Sequence, residues 1–431
     1  MVEIVPFKGY LYNQEKTGPA EQVIAPPYDV ISPGEQDQLY EKNPYNVVRL
    51  ILGKQFPQDT DQDNRYTRSA RTFQEWTGSG ILVQDREPGF YVYSQDYTFQ
   101  GKSLSRTGFF ARVKLEELSS GKICPHEFTL AKAKQDRAQL LQACRANFSP
   151  IFGLFSDPEH LVDKKLAGAK DKEPVARIEN GAVTHRFWRL EDIEAVQFIK
   201  NSFTEKKVYI ADGHHRYETA LAYYKEHGRE VPDASHVMMF LTNLDSEAMS
   251  IYPIHRMIRC PEPFDRGRFL NRLDEFFAVE PLAPEAASGD IRSVLENSGR
   301  KAISFVLYLG KGEKHLLQLR NTQSIVAHLQ PDEPEALQVL DVAQLHALVI
   351  RFLLNVDTKQ TGHQQYVSYT VDIDEAMRRV DAEEFDLAFF VNATKMDQVR
   401  KLAEQGIRLP QKATYFFPKL LSGLVINKFE S

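Results

Sequence analysis

The sequence predicts a mixed α/β protein, of the α+β kind with mixed sheets, and two observations carry this prediction. First, a β-branched strand at 207–211 leads through an Asp-Gly turn into a segment of helical spacing. Second, two β-prone runs each return after a short turn, 89–99 with 106–115 and 302–309 with 314–320, as antiparallel hairpins do. Strand–turn–helix units and hairpins are therefore expected in one chain.

The remaining elements follow from the same rules. Two adjacent prolines make 25–31 an irregular, ordered loop, because proline fixes φ and removes a hydrogen-bond donor. The β-branched run 46–52 predicts a short strand, and the polar tract 157–182 predicts an exposed excursion. Further helices are predicted at 62–77, 130–147, 192–202, 215–227, 338–354, 374–380 and 396–405, and further strands at 149–155, 185–190 and 236–242.

Length and composition limit the function classes. The 431 residues suggest two or three domains, which we place at 1–100 (an N-terminal α/β region with the Pro-rich loop), 101–260 and 261–431 (a C-terminal α/β region). A net charge of −6 argues against nucleic acid or an anionic membrane as a partner.

Compartment is predicted from the cysteines and the N-terminus. Three cysteines without a CxxC pair indicate a reducing compartment, and neither a signal peptide nor an 18-residue apolar run is present. We therefore expect a cytoplasmic protein. The oligomeric state is not indicated by the sequence.

The segment 211–217, Ala-Asp-Gly-His-His-Arg-Tyr, is the most informative motif. Gly213 lets a ligand approach the turn, and the first amides of the following helix favour an anion. Arg216 can hold phosphate oxygens through two parallel hydrogen bonds, and His214 and His215 add donors. The motif predicts a phosphate site that also includes Asp212. The alternatives are that Asp212 is a helix cap and the histidines ordinary loop donors, or that they hold a structural zinc ion.

A second constellation is Pro-His-Glu at 125–127, followed by a basic helix. Glu127, with His126 beside it, is a candidate general base, since a buried carboxylate accepts a proton well. Lys132 and Arg137 could then bind an anionic substrate. The alternative is a glutamate at a helix start with a solvated basic face behind it.

Three further groups are candidate substrate-binding residues. The first has a packed proline corner as its alternative and the third a buried aromatic corner, while the second is predicted to be a short strand edge that presents a basic pair to an acid or a phosphate. They are Tyr28 and Asp29 with Arg49, His255 with Arg256, and Lys412.

Several motifs in series resemble one family. The order Ala-Pro-Pro-Tyr-Asp-Val-Ile (25–31), Pro-His-Glu-Phe-Thr (125–129), Asn-Phe-Ser-Pro-Ile-Phe (147–152), Ala-Asp-Gly-His-His-Arg-Tyr-Glu-Thr-Ala (211–220), Pro-Ile-His-Arg (253–256) and Gln-Lys-Ala-Thr-Tyr-Phe-Phe-Pro-Lys (411–419) resembles the domain-of-unknown-function 1015 family. The Asp-Gly-His-His-Arg loop also looks like the phosphate-binding signature of the ParB/sulfiredoxin superfamily. This resemblance implies a ParB/sulfiredoxin-like nucleotide-binding core at 101–260.

That superfamily includes kinases that phosphorylate free L-serine with ATP or ADP. The resemblance implies a nucleotide whose phosphates lie on the 212–216 loop with Mg²⁺ bridging them, Glu127 as the base and a small hydroxyl metabolite, best L-serine, as acceptor. Glu127 and Asp212 stand 85 residues apart in the sequence, more than in the small kinases. The alternative is a ParB-like nucleotide-binding regulator without kinase activity. A sulfiredoxin-like enzyme would need a cysteine where His214 and His215 stand.

Overall fold

A computed structural model describes residues 2–129, 131–331, 333–358, 360–410 and 412–430. The chain folds into two compact units. The first unit comprises Met1–Pro125, Thr129–Ser250 and Phe416–Ser431, and the second comprises His126–Phe128 and Ile251–Tyr415. The three-region division at 100 and 260 stays a prediction.

The first unit is built on a nine-stranded mixed sheet. Two pairings are parallel and the others antiparallel. Its strands in spatial order are Ile123–Cys124, Val208–Asp212, Ile151–Phe155, His236–Asn243, Lys102–Lys114, Phe90–Phe99, Val183–Leu190 and Ala176–Asn180, with Ile4–Val5 pairing beside Lys102–Lys114. Tyr10–Tyr12 pairs with Leu82–Gln84, and Ala146–Asn147 with Asn427–Lys428, in two small ladders.

Helices lie around this sheet, and the longer ones apart from Pro33–Lys42 bury apolar side chains against it or against one another. They are Gln14–Thr17, Pro33–Lys42, Val48–Ile51, Arg65–Gly78, Ala131–Cys144, Leu161–Lys170, Ile193–Ser202 and His214–His227, with 3₁₀ turns at Ala20–Gln22, Tyr28–Val30, Leu118–Ser120, Phe203–Glu205 and Pro232–Ser235.

The second unit has a six-stranded antiparallel sheet with two buried clusters of its own. The strands in spatial order are Phe277–Pro281, Lys314–Leu319, Ser304–Tyr308, Leu387–Val391, His255–Ile258 and Val367–Thr370. The helices are Arg266–Leu273, Ser288–Gly299, Asp341–Gln344 continued by a π-helix at Leu345–Leu353, Ile373–Asp381 and Met396–Glu404, with 3₁₀ turns at Thr322–His328, Glu335–Val339 and Thr361–Tyr366. Two more strands, Ser250–Tyr252 and Tyr415–Phe417, lie where the chain passes between the units.

The predicted mixed α/β class is confirmed, and two predicted elements are wrong. The run 46–52 is a short helix at Val48–Ile51. Asn46 decides this, because its side chain accepts a hydrogen bond from the Val48 amide at 3.0 Å and donates to the Ile24 carbonyl at 3.0 Å, which turns the backbone.

The excursion predicted at 157–182 is also a packed element. Its helix Leu161–Lys170 buries Val162, Leu166 and Ala169 on one face, and the strand Ala176–Asn180 forms an edge of the sheet. The many charged residues of this tract lie on the opposite face of the helix, so average polarity concealed the apolar stripe.

Candidate functional site

The strand–turn–helix motif of the 212–216 loop lies in the first unit. Strand Val208–Asp212 runs through Gly213 into helix His214–His227. In the ladder with the neighbouring strand, Ile210 stands opposite Gly153 and Asp212 opposite Phe152. Ala211 is therefore an extra residue, and such a bulge re-aims the side chain that follows it. The strand ends one residue later than the sequence predicts, and the helix begins one residue earlier.

Gly213 makes the turn possible. Its φ of 93° lies in the left-handed region, where a side chain is strained. A Cβ at this position would also stand 2.9 Å from Arg216 Nε. Gly213 is the N-cap residue of the helix, and Asp212 stands one position before it.

Asp212 is instead the centre of an ion-pair group. Its carboxylate accepts hydrogen bonds from the Arg216 guanidinium and from Lys419 Nζ, the latter at 2.7 Å. Arg216 also donates to the Pro150 carbonyl. Burial would raise the pKa of Asp212, but Lys419 and Arg216 outweigh it and hold the pKa well below its usual range. The carboxylate is ionised, and the three side chains together carry one net positive charge.

A pocket opens beside this group within the first unit. Arg216 belongs both to the 212–216 loop and to the pocket wall, and Arg137 supplies a second guanidinium. The lining residues are Ile51, Arg137, Leu140, Leu141, Ala146, Asn147, Phe148, Ser149, Ile151, Arg216, Thr219, Ala220 and Val237. Two cations and several polar side chains in an otherwise apolar wall suit an anionic organic ligand.

Arg137 joins Tyr28 to this pocket. The guanidinium lies 3.8 Å from the centre of the Tyr28 ring and donates to Asp136 Oδ2 at 2.7 Å and to the Ile51 carbonyl at 3.0 Å. Burial raises the pKa of the Tyr28 hydroxyl, while Arg137 and Arg216 oppose the rise. The structure therefore brings Tyr28 and Arg137 together with Arg216.

The other predicted residues of the first unit have different surroundings. Asp29 is exposed. Arg49 donates to the Tyr40 carbonyl at 2.7 Å and stacks on the Tyr40 ring. The side chain of Lys132 lies outside the described residues. His214 is buried and His215 half-buried.

The helix Ala131–Cys144 begins after the Pro-His-Glu segment, so Glu127 is not a residue of a helix start. In the second unit, the Thr414 hydroxyl donates to Glu127 Oε1 at 3.2 Å and lies 2.8 Å from His126 Nε2. The Leu409 amide donates to the His126 carbonyl and fixes the backbone beside Glu127. The Glu127 carboxylate is half-buried, and its Oε1 also lies 3.9 Å from His126 Nε2.

His255 and Arg256 lie on an inner strand of the second unit and both are buried, so the predicted strand edge with a presented basic pair is wrong. Burial, with Arg256 adding to it, lowers the pKa of His255 to about 3, so the imidazole is neutral. Arg256 donates to the Lys412 carbonyl at 2.9 Å, while the Lys412 side chain is exposed. Burial lowers the pKa of Arg256 to about 10, against the opposing influence of Tyr369 and Glu127.

Sequence reasoning missed Lys419 and Thr414 as site residues. Each contacts its partner from far along the chain, 207 residues from Asp212 and 287 from Glu127. The one signal was the motif 411–419, which contains Thr414 and ends on Lys419.

Two observations concern metal and membrane. Within the part of the chain that the structure describes, no three His, Cys, Asp or Glu side chains are grouped to hold a metal ion. Among those same residues, no helix has the length and apolar character needed to cross a bilayer.

Comparison with solved structures finds several chains of similar topology. A free serine kinase variant in complex with AMP has 14% identity and a TM-score of 0.36, over 72% of this chain and 87% of that chain. A conserved hypothetical protein from Pyrococcus furiosus has 13% identity and a TM-score of 0.34, over 73% and 92%. SbnI with a C-terminal truncation, from Staphylococcus aureus, has 9% identity and a TM-score of 0.33, over 73% and 85%.

No curated protein matches the sequence significantly. The sequence does match, over residues 4–343, the family described as "Protein of unknown function (DUF1015)". The match covers well over half of the chain and confirms the membership that the ordered motifs predict. The chain belongs to the DUF1015 family.

Proposed function

We propose that this protein is a nucleotide-dependent phosphotransferase that phosphorylates a hydroxyl group of a small metabolite. One observation carries the proposal: Arg216 stands at the start of helix His214–His227 and also lines the pocket that contains Arg137. A helix start and two guanidinium groups around one pocket form a site for phosphates attached to an organic group.

The donor would be ATP or ADP, with its phosphates on the 212–216 loop. Gly213 admits close approach, the first amides of the helix face the phosphates, and Arg216 exchanges part of its contact with Asp212 for phosphate oxygens. His214 and His215 would add donors at the same turn. Mg²⁺ belongs to the proposal as the ion that would neutralise phosphate charge, and proteins commonly bind it through substrate phosphates, waters and one or two carboxylates.

The acceptor hydroxyl would be activated by Glu127. Its oxygen forms a bond to the terminal phosphorus of the nucleotide, the bond from that phosphorus to the bridging oxygen breaks, and the proton passes to the Glu127 carboxylate. Thr414, bonded to both Glu127 and His126, would fix the direction of that carboxylate. Most of the rate enhancement would come from positioning and charge stabilisation, as in other phosphoryl transfers.

L-serine is our first candidate for the acceptor. Its carboxylate needs a cation, and Arg137, Lys132 and Arg256 are the candidates that the sequence motifs supply. Tyr28, stacked on Arg137, would form part of the wall around it. Asp29, Arg49, His255 and Lys412 remain predicted substrate-binding residues on sequence grounds.

The direct test is a search for a phosphorylated product. The purified protein is incubated with ATP or ADP, Mg²⁺ and either L-serine or a pool of hydroxyl metabolites, and new phosphate esters are identified by mass spectrometry. We expect one ester to form at a rate that depends on Glu127. Nucleotide binding without any ester, in the presence of the full pool, would contradict the kinase proposal and favour a nucleotide-binding regulator.

A further inference from the structure

Asp212 has two charged partners of different origin. Arg216 belongs to the same 208–227 segment, whereas Lys419 comes from a distant part of the chain. Its ammonium group lies 2.7 Å from Asp212 Oδ1, and the side chain is 17% exposed, so solvent or a ligand can still reach it. Arg216 binds the other carboxylate oxygen. One carboxylate thus holds two cations.

The backbone that carries Lys419 is held by two fully buried side chains of the central sheet. Gln95 Nε2 donates to the Lys419 carbonyl at 2.9 Å. Arg106 donates to the Phe417 carbonyl at 3.1 Å and to the Pro418 carbonyl, and its Nε donates to Gln95 Oε1 at 3.1 Å. Three successive carbonyls are therefore fixed by one coupled pair of residues.

Arg106 is an unusual residue to find in this buried position. It has no exposed surface, and the partners of its hydrogen bonds are carbonyl and amide oxygens, none of them a carboxylate. Burying a cation without a counter-charge costs free energy that neutral packing would avoid. The guanidinium also lies 4.7 Å from the centre of the Phe152 ring, and Phe152 stands opposite Asp212 in the ladder. Arg106 thus contacts both the strand beside Asp212 and the segment that ends on Lys419.

We propose that Lys419 is a second phosphate-binding cation of the 212–216 loop, and that Gln95 and Arg106 are positioning residues that hold it there. The ligand class is a nucleoside di- or triphosphate, so the inference rests on the proposed function. Phosphate oxygens accept charge-assisted hydrogen bonds from both lysine and arginine side chains. On binding, Lys419 and Arg216 would each turn part of their hydrogen-bonding capacity from Asp212 to phosphate oxygens.

The test compares ADP affinities by titration calorimetry in the full-length protein. Lys419→Met removes the charge and keeps the length of the side chain, and we expect ADP to bind about 10- to 100-fold more weakly, the effect of losing one charge-assisted hydrogen bond. Lys419→Arg should retain most of the affinity because the charge remains. Lys172→Met, at an exposed lysine of the same unit, is the matched control and should bind as the wild type does.

The outcomes distinguish a wrong role for Lys419 from a wrong nucleotide site. If wild type binds ADP and Arg216→Ala binds it weakly, while Lys419→Met binds as tightly as wild type, the role of Lys419 is wrong and the proposed nucleotide site stands. If wild type binds neither ADP nor ATP, the proposed function fails, and the inference fails with it.

The positioning role has its own readout. Gln95→Met removes the hydrogen bond to the Lys419 carbonyl and also the amide acceptor of Arg106, so both members of the positioning pair are affected. We expect it to weaken ADP binding in the wild-type background only, in protein whose fold is verified by its unfolding transition. In the Lys419→Met background the same change should have no further effect, because Gln95 acts through Lys419. Equal losses in both backgrounds would mean a general structural role and would overturn the positioning claim.

Discussion

The two candidate site segments, 212–216 and 126–127, are assembled in different ways. In the first, Asp212 and Arg216 are four residues apart, and one strand, one turn and one helix place them. In the second, Glu127 is held by Thr414, which is 287 residues away. A site made by neighbours in sequence can be recognised as a motif, whereas a site made by distant residues shows only one member at a time.

The direct hydrogen-bond partners of the two carboxylates also differ. Asp212 is neutralised by Arg216 and Lys419, which stabilise its ionised form and oppose proton uptake. Glu127 receives a hydrogen bond from the neutral Thr414 hydroxyl. In the proposed function, Glu127 would accept the proton and the Asp212 loop would bind phosphate.

The largest effect is expected for Glu127→Gln. The substitution keeps the shape of the side chain and removes its capacity to accept a proton, so turnover should fall by roughly 10²–10⁴, the usual contribution of a positioned base. ADP affinity, measured by calorimetry, should stay near the wild-type value. Glu262→Gln, at an exposed glutamate of the same unit, is the control and should turn over normally. Normal turnover by Glu127→Gln would move the base elsewhere, with His126 or Asp29 to be tested next.

Arg216→Ala should weaken ADP binding, whereas Glu127→Gln should lower turnover. Losing a charge-assisted phosphate contact costs about 1.5–3 kcal/mol, so ADP should bind roughly 10- to 150-fold more weakly. Arg229→Ala, an exposed arginine just beyond the same helix, provides the control for calorimetry. Unchanged affinity in a folded Arg216→Ala protein is incompatible with the phosphate site.

The buried His255 makes the stability of the second unit depend on pH. His255 has a pKa of about 3 in the folded protein, because burial and Arg256 disfavour its charged form, whereas in an unfolded chain a histidine titrates at about 6.5. The unfolded chain therefore takes up a proton first, and stability falls as pH drops from about 6.5 toward 3.

Replacing His255 with asparagine should remove part of that slope, at most about 1.4 kcal/mol per pH unit, in denaturant unfolding between pH 4.5 and 6.5. Asparagine keeps an acceptor for the Val391 amide, which donates to His255 Nδ1 at 3.3 Å. An unaltered slope in His255→Asn would show that this histidine does not stay neutral in the fold.

Gly213→Ala should have the smallest effect. A side chain at a φ of 93° costs about 1–2 kcal/mol, and its Cβ would press against the Arg216 guanidinium. We expect that loss in unfolding free energy, together with weaker ADP binding. Gly168→Ala, in helix Leu161–Lys170 with open space around the position, should be neutral or stabilising. If Gly213→Ala behaves like Gly168→Ala, close approach at the turn is not important.

The sequence predicted what depends on neighbours in the chain. Strand, Asp-Gly turn and helix around 212–216 follow from local rules, and so do the two hairpins. The strand predicted at 46–52 is wrong because the backbone conformation there is decided by Asn46 and the carbonyls of Gln22 and Ile24. The periodicity of the sequence does not reveal these contacts.

The rest depends on contacts between distant parts of the chain. The ion pair of Lys419 with Asp212 and the buried Arg106–Gln95 pair exist only because the C-terminal segment returns to the central sheet. A lysine after a proline near a chain end, or an arginine in a β-strand, has no local pattern that marks it as part of a site. Arg106 would be predicted at a surface, since charged residues are seldom fully buried.

The central claim is that the phosphates of a nucleotide bind at the 212–216 loop, and hydrogen exchange of the amides there tests it directly. Amide exchange is followed by mass spectrometry in peptides covering 208–227, with ADP, with adenosine and without ligand. We predict that ADP slows exchange at residues 213–217, because the first amides of the helix donate to phosphate, and that adenosine slows it much less. Tight ADP binding with no change in these amides would contradict the account and place the nucleotide elsewhere in the chain.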